Sequence, residues 1–128
     1  MKTIKCKLSL YLLKMYSEYN VLLHKMGLPR LFITTRDEIK GNCGDYFCAP
    51  SLVKDEYFKL INVFTVEQKT LNELGLGYNV FQYVAKYWWK QEGFSSPDDM
   101  EETLKKIYPN ATVLYVHVMK EVLLEHEK

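Results

Sequence analysis

Two hydrophobic periods alternate along the chain. In MKTIKCKLS, residues 1 to 9, Ile4, Cys6 and Leu8 alternate with Lys5 and Lys7, the period-two pattern of a short strand with one apolar face. From about Leu10 to Met26 the steps lengthen to three and four residues. Leu12, Met15, Tyr16, Tyr19, Leu23 and Met26 make one predicted helical stripe, stopped by Gly27 and Pro29. RLFITTR, rich in β-branched and aromatic residues, then predicts a strand ending near Arg36, and Gly41, Asn42 and Gly44 mark a turn. DYFCA and EYFKLINVFTVEQ are two further strands, separated by a loop around Pro50 and Ser51. In the second of them Phe58, Leu60, Phe64 and Val66 are expected on one face, with Asn62 breaking the apolar register.

The glycines of KTLNELGLGYN suggest a loop, after which Phe81, Val84, Ala85, Trp88 and Trp89 return to helical spacing until Gly93. SSPDDM begins another helix for specific reasons. Ser96 can cap it, Pro97 suits its first position, and Asp98 and Asp99 favour the positive end of the helix dipole. Met100, Leu104, Ile107 and Tyr108 form its expected buried stripe, and Pro109 with Asn110 ends it. TVLYVHVM is apolar on both faces, as a covered strand requires. The order is strand, helix, three strands, two helices, strand. Such an order predicts an α+β domain on a small twisted, partly closed sheet, because the helices do not alternate with strands as βαβ units would.

Composition supports one folded domain over residues 1–128, with 48% apolar and 14% aromatic residues and no compositional sign of disorder. The formal charge of +1 conceals an asymmetry. Residues 1 to 40 carry eight Lys/Arg against three acids, a balance of +5, and the remainder is −4. A basic face could attract phosphate-bearing ligands, unless folding interleaves the two halves. Lys14, Glu18 and Asn20 interrupt the first apolar helix, so it predicts neither a membrane span nor a secretory core. Cys6, Cys43 and Cys48 cannot all pair, which points to free thiols and a cytoplasmic setting. No metal site is expected, since Cys43 and Cys48 lack a second pair of ligands at metal spacing. No cofactor is implied either.

Three stretches carry a resemblance: ITTRDE (33 to 38) followed by the Gly44–Asp45 pair, KTLNEL (69 to 74), and EGFSSPDDMEETLKKIYP (92 to 109) leading into VLYVHVM (113 to 119). Together they make the chain similar to the ASCH domain, a PUA-like β-barrel family associated with RNA. The resemblance implies a small twisted barrel with helices packed at its ends. Within that superfamily the nearest functional analogy is to small bacterial N4-acetylcytidine amidohydrolases, whose threonine and arginine on a T-x-R-D-E strand correspond to Thr34 and Arg36, and whose loop glutamate corresponds to Glu92. Those enzymes also carry a lysine three residues before the threonine; here that position is Leu31. Leucine can neither move a proton nor attack a carbonyl, and the adjacent Arg30 stays protonated and cannot act as a base. Lys25 could reach the site only from the end of the helix.

Each candidate has a plain structural alternative. Arg36 at a strand end could bind a phosphate or base edge through its planar fork, or form an ion pair with Asp37, Glu38 or Asp45. Thr34 could act as nucleophile or bind a base edge; threonine is also common in strands for packing reasons. Glu92 could be an acid/base catalyst or accept from the exocyclic amine of cytosine, or be a solvated helix-end residue. Adjacent helical tryptophans cannot face the same way. Trp88 shares the core stripe, leaving Trp89 as the candidate for base stacking. His117, between apolar residues and without a nucleophile at recognisable spacing, is expected to be a hydrogen-bonded core histidine. The leading expectation is an RNA- or modified-nucleoside-binding module, its cleft between the ITTRDE strand and the QEGF loop. Thr35 and Trp89 would line it, and Arg36, Lys40 and Arg30 would position phosphate. Alternatives are an amidohydrolase or ribonuclease using Thr34 and Glu92, weakened by Leu31, and a protein-contact adaptor.

Overall fold

The structure is a computed structural model that describes residues 2–3, 8–49 and 56–122, with side chains of the second segment taken from residue 11 onward. Its elements are β1 (Lys2–Thr3), α1 (Leu8–Met15), α2 (Glu18–Lys25), β2 (Leu31–Arg36), β3 (Tyr46–Ala49), β4 (Glu56–Glu67), α3 (Gln68–Glu73), α4 (Val80–Trp88), α5 (Pro97–Ile107) and β5 (Val113–Glu121). The expected alternation of Ile4 and Cys6 and the loop at Pro50 and Ser51 lie outside the described residues. At Leu8, where strand was expected, the chain is already helical.

The strands form one mixed sheet in the order β1-β3-β4-β5-β2, parallel only between β1 and β3. Class α+β is therefore correct, but the partly closed barrel expected from the sequence is not formed among the described residues: β1 and β2 do not pair, so the sheet is open with these two strands as its edges. Helices α4 and α5 cover one face. There Val80, Val84, Met100 and Leu104 pack on Ile33, Val66, Leu114, Val116 and Val118. Against the other face, Tyr11 and Met15 of α1 pack on Phe32, Phe47, Phe58, Leu60 and Met119. Fully burying each of these larger side chains is worth about 1.5–3 kcal/mol, so both faces contribute to stability.

Three local expectations are corrected. The predicted helix from Leu10 to Met26 is broken at Tyr16 and Ser17, because the Ser17 hydroxyl accepts from the Asn20 backbone N–H and starts α2 as a separate helix. The break re-aims the buried stripe onto Tyr11, Lys14 and Met15, while Leu12, Tyr16 and Met26 are exposed. In β4 the register against β5 slips between Leu60 and Asn62, where Ile61 is the extra residue. Phe58 and Leu60 consequently face one core and Val66 the other, with Phe64 left at the surface against Trp88. Finally, KTLNE is helical: it lies in α3, whose glycine-rich continuation is the actual loop. The α5 start agrees with expectation, Ser96 capping the Asp99 N–H and Pro97 opening the helix, but Ile107 is exposed.

Strand β2 is an edge strand whose outer side is covered by side chains from the helical pair. Asn20, fully buried, donates Nδ2–H to the carbonyls of Leu31 and Lys14 and accepts the Leu31 N–H on Oδ1, all at 2.8 Å. Its amide thus does what a neighbouring strand would do at Leu31 and joins the end of α1 to β2.

A buried lysine–glutamate–threonine cluster at the candidate functional site

Backbone alternation along an antiparallel edge aims the amide and carbonyl groups of every second residue outward, so Leu31, Ile33 and Thr35 share the open side of β2. Lys14 takes advantage of this. Its ammonium donates to the Ile33 carbonyl at 3.0 Å and to Glu92 Oε1 at 3.2 Å. Glu92 Oε2 accepts the Thr35 hydroxyl proton at 2.7 Å. All three residues are buried. Phe32 and Phe94 each place a ring 5.8 Å from the ammonium, adding weak favourable cation–π contacts.

Glu92 reaches this point because of the residue after it. The turn leaving α4 closes through Glu92 N–H to Trp88 O, Gly93 N–H to Lys90 O and Phe94 N–H to Trp89 O. Gly93 has φ +85°, and a Cβ there would lie 2.5 Å from the Leu13 carbonyl oxygen. Only glycine lets the turn lie against the α1 backbone, and that approach brings the carboxylate to the lysine.

The cluster opens into a cavity of about 1010 Å³, lined also by Thr34, Arg36, Phe94 and Tyr108. Arg36, Thr34, Thr35 and Glu92 therefore do converge. Their roles differ within it. Thr35 is the threonine on Glu92, whereas the Thr34 hydroxyl accepts from Arg36 Nη1, which also donates to the Thr35 carbonyl at 3.0 Å. Of the acids considered as partners for Arg36, Glu38 holds Lys40 at 2.7 Å and Asp45 stands 4.0 Å from Lys2.

Other candidates lie elsewhere. Arg30 is in a structural ion-pair group, its guanidinium 2.7 Å from both Glu121 and Glu56, so its charge is committed away from the cavity. Trp89 packs beside the core and lines a separate groove with α1 and α2, as does Lys25. Lys40 is exposed and lines a second cavity of about 270 Å³ that shares Thr34 and Arg36 with the first. Residue 31 is a half-buried leucine packed on the helical core, and the ammonium near Glu92 comes from Lys14 instead. Sequence reading missed Lys14 and Asn20. The available signal was a lysine one helical turn from Tyr11 and beside Met15, but only the break at Ser17 turns that side inward.

His117 is a fully buried histidine: Nε2 accepts the Lys40 backbone N–H at 3.0 Å, and Nδ1 lies 3.1 Å from the Tyr115 carbonyl. These partners fit the neutral ring with its proton on Nδ1. Burial pushes its pKa below the ordinary value, the Tyr115 carbonyl opposes that, and the charges of Arg36 and Lys40 add to the lowering.

Comparison with known proteins gives no matching family model, curated protein or solved structure. Cys43 is an exposed free thiol, and among the described residues no helix is long and apolar enough to cross a membrane.

Proposed function

We propose that the chain is an ASCH-type, PUA-like domain that takes a modified nucleoside, free or within RNA, into the larger cavity and removes an acyl group from its exocyclic amine. The observation that carries this reading is the Lys14–Glu92–Thr35 cluster at the cavity wall. A carboxylate already accepting a hydroxyl proton can take that proton when the hydroxyl oxygen attacks a carbonyl carbon. Thr35 Oγ1 would form the new C–O bond as its proton passes to Glu92. The C–N bond then breaks with the proton returned to the departing amine, and water hydrolyses the threonyl ester, releasing a carboxylic acid. Lys14 keeps Glu92 in position through its hydrogen bond to Oε1 while Oε2 takes the proton and later returns it. Phe94 and Tyr108 offer aromatic surface to a base, and Arg36 a fork for a base edge or phosphate. The objection raised by Leu31 weakens, since an ammonium reaches the carboxylate from α1.

Incubation with N4-acetylcytidine, followed by chromatographic detection of cytidine, tests the reading. Turnover that falls at least about a hundredfold in Glu92→Gln supports it. Binding without product would leave a recognition module. Neither binding nor turnover, at low salt, would refute both.

A second reading, contact with a protein through α1 and α2, has its own observation: Leu13, Tyr16, Leu22 and Met26 are 56%, 67%, 56% and 61% exposed. Concentration-dependent sedimentation abolished by Tyr16→Glu would support self-association through this face. Sedimentation as a monomer at every concentration would exclude it.

A further inference from the structure

The smaller cavity has a different character from the larger one. Its walls bring together Lys2 and Thr3 of β1, Lys40 of the following loop, Thr34 and Arg36 of β2, and buried His117. Among the described residues its lining contains three cationic side chains, Lys2, Arg36 and Lys40, and no carboxylate. The acids nearest the two lysines lie outside the lining, and those pairs are surface pairs: Lys2–Asp45 is 4.0 Å with side chains 51% and 33% exposed, and Lys40–Glu38 has side chains 47% and 68% exposed. Exposed pairs of this kind are screened by solvent and contribute little, so both ammonium groups can turn to a bound anion at little cost. His117 does not compete for the anion, because its Nε2 is already an acceptor for the Lys40 N–H.

Thr34 and Arg36 belong to the walls of both cavities. A ligand seated in the larger one therefore has a cationic compartment next to it, across a single arginine.

We propose that the smaller cavity is a phosphate subsite, formed by Lys2, Arg36 and Lys40, so that the ligand is a phosphorylated nucleoside, a nucleotide or an RNA residue, and not the free nucleoside. The assignment rests on the reading of the larger cavity as the base site. Its physical basis is independent of that reading. Charge-assisted hydrogen bonds from two lysines and a guanidinium fit a phosphate dianion better than any neutral group. The position of Lys2 on β1 and Lys40 in the loop after β2 means that the two edges of the sheet both contribute, and phosphate binding would hold them together.

Two measurements on the full chain separate the subsite from the base site. In the first, inorganic phosphate is titrated at low salt while the imidazole resonances of His117 are followed by NMR. A saturable shift in the wild type that is lost in Lys2→Gln/Lys40→Gln is expected; no saturable shift overturns the subsite. In the second, affinities for N4-acetylcytidine and its 5′- and 3′-monophosphates are compared. At least one monophosphate is expected to bind about tenfold or more tightly than the nucleoside, a gain of the size of one charged hydrogen bond, and that ratio should fall towards one in the double variant. Equal affinities overturn the nucleotide assignment while leaving the base site intact. A phosphate-dependent His117 shift with no binding of any nucleoside form also overturns it, and in that case the base reading fails while an anion site stands.

Discussion

The pair formed by Lys14 and Glu92 should be worth far more when broken than when replaced. Its atoms are 3.2 Å apart, and the two side chains are only 7% and 3% exposed. At an effective dielectric of about 20, unit charges at that separation attract by about 5 kcal/mol, but withdrawal of both ions from water offsets most of this. Lys14→Met keeps an unbranched stem of similar length and deletes the ammonium. Glu92 is then a buried carboxylate held by the Thr35 hydroxyl alone, and the Ile33 carbonyl loses its donor. The expected cost is about 3–5 kcal/mol, the range for removing one member of a buried pair.

Glu92→Gln should cost less, about 1–3 kcal/mol, since its amide can still accept from Lys14 or Thr35 and the lysine keeps the Ile33 carbonyl. The double change Lys14→Met/Glu92→Leu should fall at least about 2 kcal/mol short of the sum of its single changes, because each single change strands a buried charge and the double change leaves none. Urea denaturation read by circular dichroism, with m-values compared across the set, measures all of these. Additive costs, to within about 0.5 kcal/mol, would refute the ion-pair account. So would a Lys14→Met cost below about 1 kcal/mol, which would mean that water reaches the cluster and solvates Glu92.

Other changes probe the supports of the site. Gly93→Ala places a methyl 2.5 Å from the Leu13 carbonyl oxygen at φ +85°, so it should destabilise by about 2 kcal/mol or more and lower nucleoside binding by displacing Glu92; denaturation and calorimetry would show both. Asn20→Ala leaves the Leu31 amide and carbonyl without their side-chain partner and the Lys14 carbonyl with only the long 3.4 Å contact from the Ser17 N–H, and a loss of about 2–4 kcal/mol in urea melts is expected. Arg30→Met leaves Glu56 and Glu121 facing each other, at a cost of about 2–4 kcal/mol. Nucleoside affinity should be unchanged, because Arg30 lies outside the cavity. For pH, burial pushes His117 below its ordinary value of 6.5, so its stabilising contribution is complete above that value and is lost as pH falls from there towards the lowered folded value. For Glu121, burial raises the pKa but the Arg30 hydrogen bonds overcome it, so its contribution is present above the ordinary 4.5 and is lost at more acid pH. A stability profile from pH 8 downward should therefore bend first at the histidine, and His117→Gln should remove that first bend.

The sheet strands and the last helices were legible because their signals are local. The β-branched and aromatic run of LFITTR, the two-sided apolar run of TVLYVHVM, and the Ser96, Pro97, Asp98, Asp99 start of α5, each act within a few residues. What sequence periodicity misplaced depends on contacts distant in sequence. Ser17 splits the first helix, but its consequence is visible only when Asn20 meets Leu31. The slip at Ile61 is read from pairing with β5, more than fifty positions away. Arg30 looked like a phosphate contact because it precedes the ITTRDE strand, yet Glu121 and Glu56 reach it from two other strands.

Leu31 shows why a missing side chain in a strand is weak grounds for excluding a site. Position 31 points its backbone to the open edge, and that edge must be covered by something. In this chain a helical pair covers it, with Asn20 satisfying Leu31 and Lys14 satisfying Ile33. The same lysine that covers the edge carbonyl therefore arrives, without any lysine in the strand, at the carboxylate of Glu92. Its position is determined jointly by the helix break at Ser17, the Asn20 amide and the Gly93 approach to α1. If that dependence is real, Asn20→Ala should lower nucleoside affinity as well as stability, although Asn20 does not line the cavity, and Asn20→Gln should not restore it because the longer amide cannot bridge Leu31 and Lys14 in the same register. Equal affinity in wild type and Asn20→Ala, measured well below the unfolding midpoint, would show that Lys14 is held by Glu92 and Ile33 alone.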